Sequence, residues 1–151
     1  MPLESTATEC GVLNSPGPVP FLPQSRMYLP SGEILAGTGT QDAVEWLKKW
    51  YADGAKISEW PACQSDKDNW GRLIVADAAG VRYYERQPVS LWIEERFMSW
   101  GCGADLARAA MHCGRTAREA VEIASLYDNG CGNGVDVMEL EPVAKLRVAG
   151  E

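Results

Sequence analysis

An α+β fold, with antiparallel sheets covered by helices, is what the sequence predicts, and three observations carry that expectation. The hydrophobic period changes along the chain in the order strands, helix, strands, two helices, strands. A hairpin is written into "RLIVAD" and "VRYYER", two runs rich in β-branched and aromatic residues that flank Ala78-Ala79-Gly80. A capping box, Thr116-Ala117-Arg118-Glu119, opens one helix directly behind another that stops at Gly114.

Composition supports a single ordinary domain. The chain has 151 residues, 46% of them hydrophobic, and six tryptophans, enough for a core without covalent staples. Its five cysteines (Cys10, Cys63, Cys102, Cys113, Cys131) are odd in number and lack paired metal spacing. With no leading signal segment and no apolar run of membrane-spanning length, a reducing, cytoplasmic setting is expected. A formal charge of −7 repels phosphate backbones, so nucleic acid and anionic membrane are excluded as expected partners.

From the amino terminus, Pro16, Pro18, Pro20 and Pro23 stand at short intervals and each removes a backbone donor. Residues 1–24 are therefore expected to form an extended arm, and residues 25–151 the domain. Glu33 to Ala36 reads as a strand running into the glycine-spaced loop "GTGT", Gly37 to Thr40. A helix capped by Thr40 or Asp42 follows, with Val44, Leu47, Trp50 and Tyr51 inward and Gly54 as its left-handed stop. Residues 55–70 have loop composition, yet Trp60 and Trp70 suggest that this loop folds down onto the body. After the hairpin, "SLWIE" and "RFMSW" are extended and lead straight into "WGCGADLARAAMHCG", a Gly-Cys-Gly turn at a strand-to-helix junction. The helix behind it, Ala104 to Cys113, is small-sided. The capped helix turns Ala120, Ile123, Ala124 and Tyr127 inward, and "VDVMEL" and "VAKLRV" close the chain as strands.

With those residues in place, "ILAGTGTQDA", "LIVAD", "WGCGADLARAAM" and "AREAVEIASLYDNGCGNGVDVMEL" together resemble the proteasome β-subunit family, in particular its HslV-type bacterial and phage relatives, over about residues 26 to 141. The resemblance implies a four-layer αββα sandwich of two antiparallel sheets, the N-terminal nucleophile hydrolase architecture, and assembly into a ring-like homo-oligomer, with an ATPase as a partner. It implies peptide hydrolysis by an amino-terminal threonine whose own α-amino group is the base. An α-amine ordinarily titrates at about 8, which leaves part of it unprotonated at neutral pH.

Carried over residue by residue, the resemblance places Arg26 at the family's lysine, Gly37, Thr38 and Gly39 at the oxyanion loop, and Cys102, between Gly101 and Gly103, at a serine near the nucleophile's amine. The carbonyls of Ser125, Asp128 and Cys131 fall where HslV-type enzymes hold a sodium ion; no other cofactor is implied. Several features depart from the pattern. A guanidinium cannot share protons as an ammonium does, and a thiol donates weakly. No threonine follows Met1, Thr6 and Thr8 would need cleavage to be exposed, and no acidic residue lies between Glu9 and Arg26.

The expected function is accordingly a catalytically degenerate, self-assembling scaffold. Its vacated cleft, bordered by Gly37–Gly39 and Trp100–Gly103, would take a peptide or small anionic ligand on free backbone amides. The alternative is a threonine peptidase working after amino-terminal processing. "ECGVL" at Cys10 resembles the start of cysteine-first hydrolases of the same superfamily, but no following strand is expected there. His112 and Cys113 point about 100° apart on their helix and do not make a nucleophilic pair. Trp46 and Trp50, one turn apart, read as core or interface anchors.

Overall fold

The computed structural model describes residues 10–14, 19–21, 27–62, 67–131 and 135–138. In chain order the strands are β1 (Cys10–Asn14), β2 (Val19–Phe21), β3 (Met27–Tyr28), β4 (Ile34–Gly39), β5 (Gly71–Asp77), β6 (Gly80–Tyr84), β7 (Leu91–Trp92), β8 (Phe97–Gly101) and β9 (Asp136–Met138). The helices are α1 (Gln41–Ala52), α2 (Ala104–His112) and α3 (Ala117–Tyr127). Strands β3 to β7 form one antiparallel sheet in sequence order, while β1 pairs with β8 and β2 with β9, both antiparallel. Among the described residues the fold is thus mixed α and β, with a meandering five-stranded sheet and three α-helices.

Two-residue alternation distributes the core over both faces of that sheet. Leu35, Leu73 and Val75 point to α1, where they bury Leu47 and Trp50. From the opposite face Ala36 and Ile74 meet Trp100 of β8, and Ile34 and Ala76 meet Met138 of β9. A third cluster lies between α2 and α3: Ala107, Ala110 and Met111 against Ala117, Ala120, Val121 and Ala124, with Phe97 of β8 packed on it. Full burial of side chains such as Leu35, Leu47 and Ile74 contributes about 1.5–3 kcal/mol each. A partly buried polar knot ties α1 to the sheet. Arg82 donates to Asp77 (2.8 Å) and to the Tyr51 hydroxyl (2.7 Å), which donates to Glu33 (2.7 Å). Burial and the Glu33 carboxylate push the Tyr51 phenol up to about 12.

Several sequence-based expectations hold locally. The hairpin turns at Ala78-Ala79, Gly80 takes φ +137°, and Asp77 accepts from the Ala79 amide at 2.8 Å. Both hydrogen bonds of the capping box form: Thr116 N–H to Glu119 (2.9 Å) and Glu119 N–H to the Thr116 hydroxyl (3.2 Å). Trp60 folds down as expected, edge-on to Trp50 at 4.8 Å.

Others are corrected. Residues 10–14 and 19–21, read as part of a strandless arm, are strands with partners. Pro20 lies in β2, which is paired on one side only among the described residues, an edge position where proline is tolerated. Thr40 occupies the N-cap of α1 without capping it; its hydroxyl bonds to the Asn69 side chain instead. Tyr127 faces outward, 75% exposed, and Val121 takes the inner position. The "VAKLRV" strand lies outside the described residues.

Gly37, Thr38 and Gly39, expected in a loop, continue β4 and pair with Leu73, Arg72 and Gly71. The reason is close approach: a Cβ on Gly37 would overlap the Val44 side chain of α1, and one on Gly71 would sit 3.1 Å from Val44 Cγ2. Glycine lets the helix lie directly on the sheet. Since Val44 is stiff at χ1, Gly37→Ala is expected to lower the unfolding free energy by about 1–3 kcal/mol in urea titrations. Adding Val44→Ala should restore part of the loss; a neutral Gly37→Ala substitution would contradict this contact.

Candidate functional site

The Gly-Cys-Gly turn and the turn behind α3 meet. Strand β8 ends at Gly101, whose φ of +97° is a conformation that side chains avoid. The chain turns through Cys102, and the buried Gly103 stands at the N-cap of α2, its carbonyl accepting from Ala107 N–H at 3.0 Å. Ser99 Oγ donates to the Ala104 carbonyl at 2.6 Å and braces this junction.

On the other side, α3 ends as Asp128 N–H donates to the Ala124 carbonyl (2.9 Å). Asp128 then organises the turn. Its carbonyl accepts from Cys131 N–H (3.0 Å), and its carboxylate Oδ1 accepts from Gly130 N–H (2.7 Å). This brings the buried Cys131 against Cys102, sulfur to sulfur at 3.4 Å. Both sulfurs and an Asp128 carboxylate oxygen lie within 4.8 Å of one another.

Electrostatics at the cluster disfavour added negative charge. Cys102 is exposed as a residue, but its sulfur faces the protein, and that loss of solvation is the largest cause pushing the thiol up to about 12. The Cys131 sulfur and the Asp128 carboxylate raise it further, while the Gly103 backbone N–H pulls it down.

The predicted site residues are therefore brought together in part. Cys102, Asp128 and Cys131 converge through their side chains, a convergence the sequence reading missed by assigning the last two through carbonyls alone. Ser125 lies in α3 with its hydroxyl on the Val121 carbonyl (2.8 Å), apart from that cluster. Gly37–Gly39 and Gly101–Gly103 are linked through Ala36, which packs with Trp100. Thr6, Thr8 and Arg26 lie outside the described residues. His112 ends α2, exposed. A surface hollow of about 260 Å³ is lined by Trp46, Trp50 and Pro61 on α1 and the following loop, and the Cys102 turn takes no part in it.

The backbone of Cys10 also reaches this place. It begins β1, and its register partner across the ladder is Gly101, the residue before Cys102. Past Leu35, no described strand pairs with the edge of β4 opposite β5, so alternate amides of Ala36–Gly39 point away from the sheet. The sequence reading set "ECGVL" aside for want of a processing signature and a following strand; the structure supplies the strand, β1.

A shift of the Cys102 thiol from 9.0 to about 12 cuts its thiolate fraction about 1,000-fold at neutral pH. Peptide mapping after iodoacetamide treatment of the protein should show Cys102 reacting slower than an ordinary thiol, by less than that factor because a thiolate of higher pKa is the better nucleophile. Asp128→Asn should speed the reaction, since removing a neighbouring negative charge favours the thiolate. Labelling of Cys102 at the ordinary rate would contradict this electrostatic picture.

No protein-family model matches the sequence, and no curated protein matches it. Solved structures do. Thiobacillus denitrificans BPH superposes with a TM-score of 0.59 at 15% identity, over 89% of this chain and 100% of that one. The same protein in complex with epoxomicin gives 0.60 at 16%, with the same coverage. Eukaryotic HslV from Trypanosoma brucei gives 0.57 at 18%, over 86% of this chain and 97% of that one. At these identities the likeness is one of fold, and it extends along nearly the whole of each chain: this protein has the fold of HslV and proteasome-type peptidases.

Proposed function

We propose that the protein is an amide hydrolase of the N-terminal nucleophile type, acting on peptides, with Cys10 as its nucleophile. The observation that carries this reading is the register of β1 on β8, which sets the Cys10 backbone opposite Gly101, beside the Cys102–Asp128–Cys131 cluster. Hydrolysis of the Glu9–Cys10 bond would free an α-amine at the head of a paired strand. That amine, ordinarily titrating at about 8, takes the Cys10 thiol proton, and the thiolate attacks the substrate carbonyl. The amine component leaves with a proton, and water cleaves the thioester to release the acid. Amides along the edge of β4 that no described strand pairs with, in the Gly37–Gly39 stretch, are suited to stabilise the oxyanion.

The same reading includes an αββα stacking. It is supported by α1 on one face of the five-stranded sheet, β8 and β9 on the other, and α2 and α3 beyond β8. It also includes a homo-oligomer, and sodium held by the carbonyls of Ser125, Asp128 and Cys131. Among the described residues no helix is long and apolar enough to cross a membrane.

A second reading, a self-assembling scaffold without catalysis, is favoured by one observation. The thiols of Cys102 and Cys131 stand together, with Cys102 held neutral, where the resemblance expects a hydroxyl that donates strongly.

Intact-mass analysis and peptide-amide hydrolysis separate the two. The first reading predicts a mature chain beginning at Cys10, with turnover falling about 1,000-fold or more in Cys10→Ala. A chain that keeps residues 1–9 and hydrolyses nothing would leave the scaffold reading, and activity surviving Cys10→Ala but lost with Thr6 or Thr8 would assign the nucleophile to a threonine.

A further inference from the structure

We propose that the side chains of Cys102, Asp128 and Cys131 bind one thiophilic divalent cation of the zinc class. The sequence spacing shows no such site, because its ligands come from two separate turns, one ahead of α2 and one behind α3. The fold closes them to within 4.8 Å.

Geometry supports the choice of ion. Tetrahedral zinc with Zn–S bonds of about 2.3 Å holds two sulfurs about 3.7 Å apart. The observed separation is 3.4 Å, so an ion enters with a small spreading of the pair. Two sulfurs and a carboxylate select zinc-like ions over sodium, calcium or magnesium, which take oxygen ligands. Three protein ligands leave a fourth position for water or an incoming group.

The surroundings are those of a prepared ligand set. Gly130 N–H holds Asp128 Oδ1 at 2.7 Å, which fixes the carboxylate and leaves its other oxygen to the ion. Both turns are anchored by backbone bonds, Ala107 to Gly103 and Cys131 to Asp128, each 3.0 Å, so little ordering is left for the ion to impose. Binding is charge-balanced: two thiols lose their protons to solvent, and two thiolates and the carboxylate receive the cation.

The test uses the full chain, reduced with a phosphine and stripped by chelator, in buffer with sodium in excess. Cobalt(II) is the probe and zinc(II) the competitor. Expected are one cobalt per chain, a thiolate-to-cobalt charge-transfer band in the near ultraviolet, and loss of that band on adding zinc. Cys102→Ser and Cys131→Ser should each weaken binding by about 100-fold or more, and Asp128→Asn by about 10-fold with the band retained. Cys113→Ser should match the parent. Circular dichroism and thermal unfolding of the metal-free variants verify that each is folded. Absence of the band in the parent, or equal uptake by the folded Cys102→Ser/Cys131→Ser double variant, overturns the proposal. A pair that only oxidises to a disulfide gives the first of these results. Hydrolysis is not a readout, so this site and the Cys10 nucleophile stand or fall separately.

Discussion

The ladder between β1 and β8 is the constraint on which the site depends. A strand of five residues makes few hydrogen bonds, but its register leaves no freedom in which residue arrives where. Slipping it by one place would move Gly11 opposite Gly101 and take Cys10 off that position. The partner strand is itself held on two sides, by Trp100 packed with Ala36 and Ile74 and by Phe97 packed on the helical pair. Position at the head of β1 is therefore inherited from the core of the molecule.

Glycine serves two different purposes around this core. On β4 and β5, Gly37 and Gly71 admit the Val44 side chain and draw α1 onto the sheet, a packing role in place of the loop expected from composition. At Gly101 the positive φ stops β8 and swings the chain into α2, which is what aims Cys102 at the turn behind α3. The small residues of α2 and α3 follow from the same geometry: alanines at 107, 110, 117, 120 and 124 let the two helices approach closely enough for their adjoining turns to touch.

Local chemistry was the legible part of the sequence. The hairpin at Gly80, the capping box at Thr116 and the Gly-Cys-Gly junction each depend on neighbours within a few residues, and each formed as expected. The resemblance carried by the ordered motifs anticipated the fold shared with HslV and BPH. What stayed hidden was long-range. Prolines at 16, 18, 20 and 23 marked the amino-terminal stretch as strandless, because composition cannot show that residues 97–101 and 136–138 wait as partners. Likewise Cys102, Asp128 and Cys131 were each singled out for separate reasons, and their common location emerges only when two turns from different helices are folded together. Gly37–Gly39 was misassigned because a glycine demanded by a helix across the sheet looks, in sequence, like a glycine demanded by a loop.

The central claim is that Cys10 heads a strand seated on β8 at Gly101, and it is tested most directly by nuclear magnetic resonance of the labelled full chain. Cross-strand Overhauser contacts between Cys10 and Gly101 and between Val12 and Ser99, together with slowed exchange of β1 amides, are the predicted result. Absence of those contacts, with residues 10–14 exchanging at the rate of an unstructured peptide, would contradict the account.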